Sequence, residues 1–320
     1  MKIAFITEGI GEGKIPVDHP NMRTDLAWQY YLYSDHYSLK HIGTLCTKYD
    51  LAIIIIPKTN PGLVYSCIEY IKKYCNKVAI MQEGPADFWT DHTLQDQIEY
   101  LTSLSIADFL LCHNTCDIPY FEGLADKPTY VMAPVMVHEN FEGYMELTKG
   151  INIAPPKSII IGGNMCRWYN GMVSLMIARE CNSVVFAPSM GRKIPGEDKI
   201  DMLFHLGYMD WINWMSNLRR FQFAVHMMPT VAAGTFSLNC AYWGIPCIGN
   251  ELVDTQRNCH PITSIPVNDI KEGMTLAKFF KKMDDQSYDS ISKQIKINYN
   301  TYYHPDVFKK SMDIIFDKEL

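Results

Sequence analysis

The sequence contains no long uninterrupted apolar run, although 48% of its 320 residues are hydrophobic. A membrane-spanning helix needs about 20 consecutive, predominantly apolar residues, and no segment reaches that length. The start, Met1 to Glu8, is too short and too soon acidic to be a signal peptide. We therefore expect a protein without a membrane span and a cytoplasmic location.

An excess of positive charge is also absent. Lysine and arginine total 29 against 35 aspartate and glutamate residues, which gives a formal net charge of −6. The overall charge therefore does not attract nucleic acid, and any contact with DNA would require a local basic groove.

Three motifs that specify metals or dinucleotides are missing. The ten cysteines include no Cys-x-x-Cys pair, and the cluster from Cys112 to Cys116 lacks a second ligand pair at zinc spacing. Gly9, Gly11 and Gly13 do not form the Gly-x-Gly-x-x-Gly pattern of a dinucleotide site. No Asp-x-Asp signature is evident. We predict reduced thiols, no metal site and no obligatory cofactor.

Both halves of the chain alternate apolar runs with helical patterns. Residues 50–56 are apolar on both faces, which is typical of a central parallel strand. After a proline-containing linker at residues 151–156, the alternation begins again with a strand at residues 158–161. Successive βα units predict an α/β protein with doubly wound parallel sheets. Further helices are predicted at residues 23–33, 63–74, 94–104 and 168–180, and the tail from residue 274 is predicted to be mostly helical.

Residues 226–249 are the most informative segment. They read as a strand that ends in a glycine loop, a helix capped by Gly244 and stopped before Pro246, and a further buried strand. A helix that begins at Gly234 to Ser237 presents backbone N–H groups that suit a phosphate or another anion. The alternative is an ordinary strand, loop and helix without a ligand.

The region before this segment places it in a wider pattern. Trp211, Trp214, Met215 and Leu218 share one face of a short helix, which leads into a core strand. The order of a Gly-Tyr turn at residues 207–208, this helix, a strand, a glycine loop, a second helix and a Gly-x-Pro resembles the donor-binding half of GT-B glycosyltransferases.

This resemblance implies two Rossmann-like doubly wound domains that face a cleft. The acceptor-side domain would comprise residues 1–150, with the helix at residues 300–320 packed back onto it, and the nucleotide-sugar domain would comprise residues 151–299. In the family, the second helix carries an acidic residue that holds the ribose of the nucleotide. The matching position is Asn239, whose amide can bind a diol without the strength of a charge.

Ligands of open α/β sheets bind beyond the carboxyl ends of the strands, so residues that follow strands are candidates. Arg167 and Arg192 would neutralise a diphosphate, and Gly162 and Gly163 would let the backbone approach it. The alternative for each arginine is a solvated loop side chain. The predicted donor-binding residues are Gly162, Gly163, Arg167, Arg192, His226, Thr235, Ser237 and Asn239.

The first half supplies the predicted catalytic and acceptor-binding residues. Glu83 follows a strand and is the first choice for the base that takes the acceptor proton, with Asp87 as the second. Glu83 could instead cap a loop or pair with an arginine. The acceptor-binding candidates are Lys14, Arg23 and Asp25. Arg23 opposes the dipole of the helix it begins, so it needs a partner, either an acceptor phosphate or a salt bridge to Asp25 or Asp18.

The order of several short motifs sharpens the resemblance. Residues 77–83, Gly162 to Arg167, Phe186 to Arg192, residues 205–208 and residues 251–257 occur in the order seen in bacteriophage DNA base glycosyltransferases. This similarity implies a UDP-sugar donor and a 5-hydroxymethylated pyrimidine in double-stranded DNA as the acceptor. The location would then be the host cytoplasm.

The alternatives are a GT-B enzyme that acts on a glycan, lipid or protein, and a GT-B-like binding protein without catalysis. The oligomeric state stays open.

Overall fold

A computed structural model describes residues 1–9, 12–16, 19, 21–22, 24–137, 139, 141, 158–188 and 193–320. The chain divides into two compact units. The first unit comprises Met1–Val137 together with Pro305–Leu320, and the second comprises His138–His304. The predicted boundary between residues 150 and 151 lies outside the described residues, so it stays a prediction.

The first unit contains a sheet of six parallel strands in the order β2-β1-β3-β4-β5-β6. Its central strand carries Ile54, which pairs with Ile6 on one side and Ile80 on the other. The predicted central parallel strand at residues 50–56 is therefore confirmed. The strands are β1 (Ile3–Thr7), β2 (Asp35–Ser38), β3 (Tyr49–Ile55), β4 (Cys75–Met81), β5 (Phe109–Cys112) and β6 (Thr129–Val131).

Helices complete the core of the first unit. They are α1 (Asp25–Tyr31), α2 (Gly62–Tyr74), α3 (Leu94–Ser105), α4 (Ile118–Ala125) and the C-terminal helix α11 (Pro305–Glu319). In α2, Val64, Ile68 and Ile71 recur at helical spacing and pack against one face of the sheet. Helix α11 buries Phe308 and Met312.

The second unit has its own sheet of six parallel strands, in the order β12-β11-β10-β7-β8-β9. The strands are β7 (Ile159–Ile161), β8 (Val185–Pro188), β9 (Leu203–Leu206), β10 (Phe223–His226), β11 (Cys247–Asn250) and β12 (Ser264–Ile265). Because all the strands run in one direction, their carboxyl ends share one edge of the sheet.

The helices of the second unit are α5 (Gly171–Arg179), α6 (Trp211–Leu218), α7 (Thr235–Trp243), α8 (Asp254–Cys259), α9 (Ile270–Lys282) and α10 (Asp285–Tyr302). The predicted amphipathic helix is confirmed in α6, which buries Met215 and Leu218 and begins at the cap Asp210. The predicted helix after the glycine loop is confirmed in α7, which ends at Gly244 with φ of 72°. None of the helices in the described ranges is long and apolar enough to cross a membrane.

Candidate active site

Four ionisable side chains gather at the carboxyl edge of the first sheet. Lys58 follows β3, Glu83 follows β4 and His113 follows β5, while Asp25 begins the helix after β1. Lys58 Nζ lies 3.2 Å from Glu83 Oε2, and the two side chains keep 39% and 34% of their surface exposed. The predicted base Glu83 therefore has a lysine partner rather than the arginine that sequence analysis considered.

His113 is a neutral member of this group. Its ring is buried and stacks on Trp28 with centroids 5.6 Å apart. Burial lowers its pKa to about 4, while Glu83 raises the pKa and Lys58 lowers it. The backbone N–H of Gly84 donates to Nε2 at 3.5 Å. The buried Nδ1 of the ring has no partner among the described residues.

Asp25 is a carboxyl group with a raised pKa. Burial and the negative charge of Glu83 raise its pKa to about 6, against hydrogen bonds from backbone N–H groups and the charge of Lys58. Thr24 precedes it with φ of 50° and ψ of −122°, a conformation that non-glycine residues rarely adopt. The structure thus brings together Glu83 and Asp25, for which the sequence predicted a catalytic and an acceptor-binding role.

The other predicted residues of the first unit are not part of this group. Asp87 is exposed in the turn Ala86–Asp91. Lys14 Nζ lies 3.0 Å from Asp35 Oδ1, and Asp35 begins β2 at the amino edge of the sheet. Lys14 is thus bound at the edge of the sheet opposite Asp25, and its predicted contact with an acceptor stays a prediction. Arg23 lies outside the described residues.

In the second unit, Gly162 and Gly163 directly follow β7. A Cβ atom on Gly162 would lie 2.2 Å from Cγ of His226, and one on Gly163 would lie 2.4 Å from Cγ of Tyr169. Glycine is therefore required here by side chains of the protein itself, in addition to the predicted approach of a ligand.

His226 closes this part of the edge. It is the last residue of β10, it is 91% buried, and Phe236 meets its ring edge-on with centroids 5.1 Å apart. Burial lowers its pKa to about 4, so the ring is neutral at pH 7. Its Nε2 atom is buried without a hydrogen-bond partner in the described part of the chain. Such an atom normally has a partner.

The N-terminus of α7 lies close to His226, because Phe236 is in its first turn. The first helical hydrogen bond joins the N–H of Leu238 to the carbonyl of Gly234 at 3.1 Å. The N–H groups of residues 235–237 precede this bond, as expected for an anion-binding helix end. The Ser237 hydroxyl donates to the same carbonyl at 2.9 Å. Ser237 would therefore bind the predicted anion through its backbone N–H and not through its hydroxyl.

The side-chain amide of Asn239 forms two hydrogen bonds within the second unit. With its amide oriented to satisfy both groups, it donates to the carbonyl of Thr235 at 3.0 Å and accepts from Nε1 of Trp214 at 2.9 Å. Asn239 thereby connects α7 to α6. Its predicted contact with a ribose stays a prediction, and such a contact would have to compete with these bonds.

The two predicted arginines differ in what the structure describes. Arg167 is exposed, and its guanidinium lies 4.3 Å from the centroid of the Trp168 ring. The carbonyl of Trp168 accepts a hydrogen bond from the hydroxyl of Thr230 at 2.8 Å, which joins the loops after β7 and β10. Arg192 lies outside the described residues.

Sequence analysis did not single out Lys58 or Glu197. Lys58 comes shortly after the buried run of β3, and that position was the available signal. Glu197 is a buried polar residue, and its bond to Met165 joins it to a segment 32 positions away, which no local pattern indicates. Among the described residues, no group of three or more His, Cys, Asp and Glu side chains is arranged to hold a metal ion.

Comparison with known proteins places the fold. No protein-family model matches the sequence, and no curated protein matches it either. The structure is similar to that of Anabaena HepE in complex with UDP-glucose, with a TM-score of 0.67 over 99% of this chain and 100% of that chain at 10% identity. The chain has the GT-B fold. The predicted α/β class with two Rossmann-like sheets is thereby confirmed.

Two further structures have similar architecture. Sucrose-phosphate synthase from Thermosynechococcus elongatus gives a TM-score of 0.61 at 10% identity, over 84% of this chain and 73% of that chain. Trehalose 6-phosphate synthase from Burkholderia multivorans gives a TM-score of 0.63 at 7% identity, over 88% of this chain and 72% of that chain. At these identities the likeness shows the fold.

Proposed function

We propose that this chain is a glycosyltransferase that takes a sugar from a nucleotide-sugar donor, with UDP as the nucleotide. The observation that carries the proposal is the match to HepE along the whole of both chains, since HepE was solved with UDP-glucose. The polar groups at the carboxyl edge of the second sheet supply a chemical reason. The proposed glycosyltransferase activity thus depends on the fold together with the polar residues at the carboxyl edge of the second sheet.

The leaving diphosphate would be stabilised by fixed donors. The N–H groups of residues 235–237 at the N-terminus of α7 suit phosphate oxygens. Arg167 would add positive charge, and Arg192 stays a second candidate for that role. The unpartnered Nε2 of neutral His226 would form a hydrogen bond with a phosphate oxygen or a sugar hydroxyl.

The acceptor proton would go to a carboxylate of the first unit. As the acceptor oxygen bonds to the anomeric carbon, the bond from that carbon to the diphosphate breaks and the hydroxyl proton is transferred. Glu83 is the proposed base, and its charge acts on the neighbouring carboxyl of Asp25. The exposed Asp87 remains the second choice for the base.

The acceptor is a separate and finer proposal. Transfer to a 5-hydroxymethylated pyrimidine in DNA rests on the order of the sequence motifs alone, and none of the three structures compared above is a DNA glycosyltransferase. Lys14, one of its proposed contacts, is paired with Asp35. A glycan, lipid or protein hydroxyl is the alternative acceptor.

The test combines donor binding with transfer. Thermal shifts with UDP-glucose and with other nucleotide sugars report binding, because a ligand at 100 times its Kd stabilises the fold by about 2.7 kcal/mol. Transfer of labelled sugar is then measured to hydroxymethylated DNA, unmodified DNA and a glycan panel. We expect stabilisation by a UDP-sugar and transfer to at least one acceptor. Stabilisation without transfer or donor hydrolysis would favour a binding protein, and no stabilisation by any nucleotide would contradict the donor assignment.

A further inference from the structure

One buried carboxylate connects three segments of the second unit. Glu197 lies in the turn Glu197–Lys199 between β8 and β9, and its side chain is fully buried. Its Oε1 atom accepts hydrogen bonds from the backbone N–H of Met165 at 2.8 Å and of Ile194 at 3.1 Å. Its Oε2 atom lies 2.8 Å from Nε2 of His205. Both carboxylate oxygens are thus used.

The two backbone partners belong to loops that follow β7 and β8. Met165 lies between Gly163 and Arg167, and Ile194 follows Arg192 by two positions in the sequence. A buried carboxylate is costly unless hydrogen bonds compensate it. Glu197 itself lies with Ile194 in the loop after β8, so separation of this loop from the loop after β7 would break its bond to Met165. The carboxylate therefore favours one arrangement of the two loops.

A second observation points to a ligand at this loop. Asn164, the neighbour of Met165, is buried, and its Nδ2 atom has no hydrogen-bond partner in the described part of the chain. The loop after β7 thus carries this unpartnered amide, and Gly162 in the same loop packs against His226, whose Nε2 is also unpartnered. Buried polar atoms of this kind are normally satisfied by a ligand or an ordered water.

We infer that Glu197 is a positioning residue of the donor site, which holds the loop of residues 162–167 in the conformation that receives the diphosphate of a nucleotide sugar. The inference rests on the proposed function. Glu197 acts through Met165 and does not touch the substrate, because its side chain is fully buried.

The experiment compares three variants of the full chain. Glu197→Ala removes all three bonds, whereas Glu197→Gln keeps an oxygen that can accept from Met165 and Ile194. Asp284→Ala is the matched control, because Asp284 is the cap of α10 and accepts from the N–H of Ser287 at 2.9 Å and from its hydroxyl at 2.7 Å. Each variant is titrated with UDP, assayed for kcat and KM with the donor, and followed by hydrogen exchange at the amides of Met165 and Ile194.

We expect Glu197→Ala to weaken UDP binding and raise the KM for the donor by about tenfold or more, with a smaller change in kcat. Exchange at Met165 and Ile194 should accelerate by a similar factor, because these amides lose their acceptor. Glu197→Gln should restore UDP affinity to within about threefold of the unmodified chain, since it retains an acceptor oxygen. Asp284→Ala should lower the melting temperature and leave UDP affinity unchanged. If Glu197→Ala does not fold, Glu197→Asp, which shortens the side chain by one methylene, replaces it with the same expectation.

Unchanged UDP affinity in Glu197→Ala would overturn the inference, and so would an equal loss of affinity in Asp284→Ala. If the unmodified chain binds no nucleotide, the proposed function itself is wrong. Hydrogen exchange then still decides the local claim, because normal protection of Met165 and Ile194 in Glu197→Ala would refute the holding role.

Discussion

Lys58 Nζ lies 3.2 Å from Glu83 Oε2 at the carboxyl edge of the first sheet. The negative charge of Glu83 also acts on Asp25 and on His113. Asp87, the other predicted carboxylate, is exposed in the turn that follows. Glu83 thus lies among the ionisable groups of this edge and Asp87 does not, and Glu83 stays the proposed base.

Replacement of Glu83 by glutamine should separate turnover from donor binding. We expect Glu83→Gln to lower kcat by about 100-fold or more, because the amide cannot take the acceptor proton, while the Kd for UDP stays unchanged. Asp87→Asn is the control and should retain turnover. Near-normal kcat in Glu83→Gln combined with a loss in Asp87→Asn would transfer the role to Asp87.

Asp25 should lower the stability of the protein at neutral pH. Its folded pKa of about 6 lies above the unfolded value of 3.8, so between these values the folded state binds more protons and stability falls as the pH rises. Asp25→Asn should raise the free energy of unfolding at pH 7 by about 1 to 2 kcal/mol, and the gain should vanish below pH 4. Urea unfolding at several pH values measures this.

Asp35 provides the opposite control within the same unit. Burial raises its pKa, but hydrogen bonds from Lys14 and Tyr49 lower it below the usual value, so its stabilising effect is present above pH 4 and is lost as the pH falls. Asp35→Asn should therefore destabilise at pH 7. Equal responses of the two variants would contradict this electrostatic account.

The unpartnered Nε2 of His226 predicts a contribution to nucleotide binding. His226→Phe should weaken UDP binding by about tenfold, because it removes one hydrogen bond from a buried site, and His226→Gln should weaken it less. Isothermal titration measures both. Burial lowers the pKa of His226 to about 4, so the nucleotide meets a neutral imidazole at pH 7. Full affinity in His226→Phe would remove the residue from the donor site.

The packing of His226 on Gly162 predicts a steric cost. Gly162→Ala would place a Cβ atom 2.2 Å from the imidazole, so we expect a loss of about 1 to 3 kcal/mol in the free energy of unfolding. Gly207 is the matched control, because a Cβ atom there meets nothing within 4 Å. Gly207→Ala should be close to neutral. A similar loss in both variants would argue against the steric explanation.

Strong periodic patterns were sufficient to predict the central elements. The apolar run in β3 and the spacing of Met215 and Leu218 in α6 each specify one kind of structure. The edge strand β2, with the sequence Asp-His-Tyr-Ser, was missed because its side chains are polar and its pairing comes from β1. The helix predicted from residue 23 begins at Asp25, after the unusual backbone of Thr24.

For the site residues, positions along the chain could be predicted but contacts between distant segments could not. Positions at or just beyond the ends of strands could be predicted from sequence, and this made Glu83, Gly162 and His226 candidates. Partnerships could not, because they depend on which distant segments meet. Thus Lys58 with Glu83, Lys14 with Asp35 and Asn239 with Trp214 become visible only in three dimensions.

Helix α11 belongs to the first unit but is synthesised last. The unit is discontinuous, since Pro305–Leu320 completes what Met1–Val137 begins. The ribosome therefore produces all six strands of the first sheet, and then the whole second unit, before it produces Phe308 and Met312, which are buried in the completed first unit. A nascent chain must keep the first unit unfinished through most of translation, while the second unit has all its own residues and can fold first.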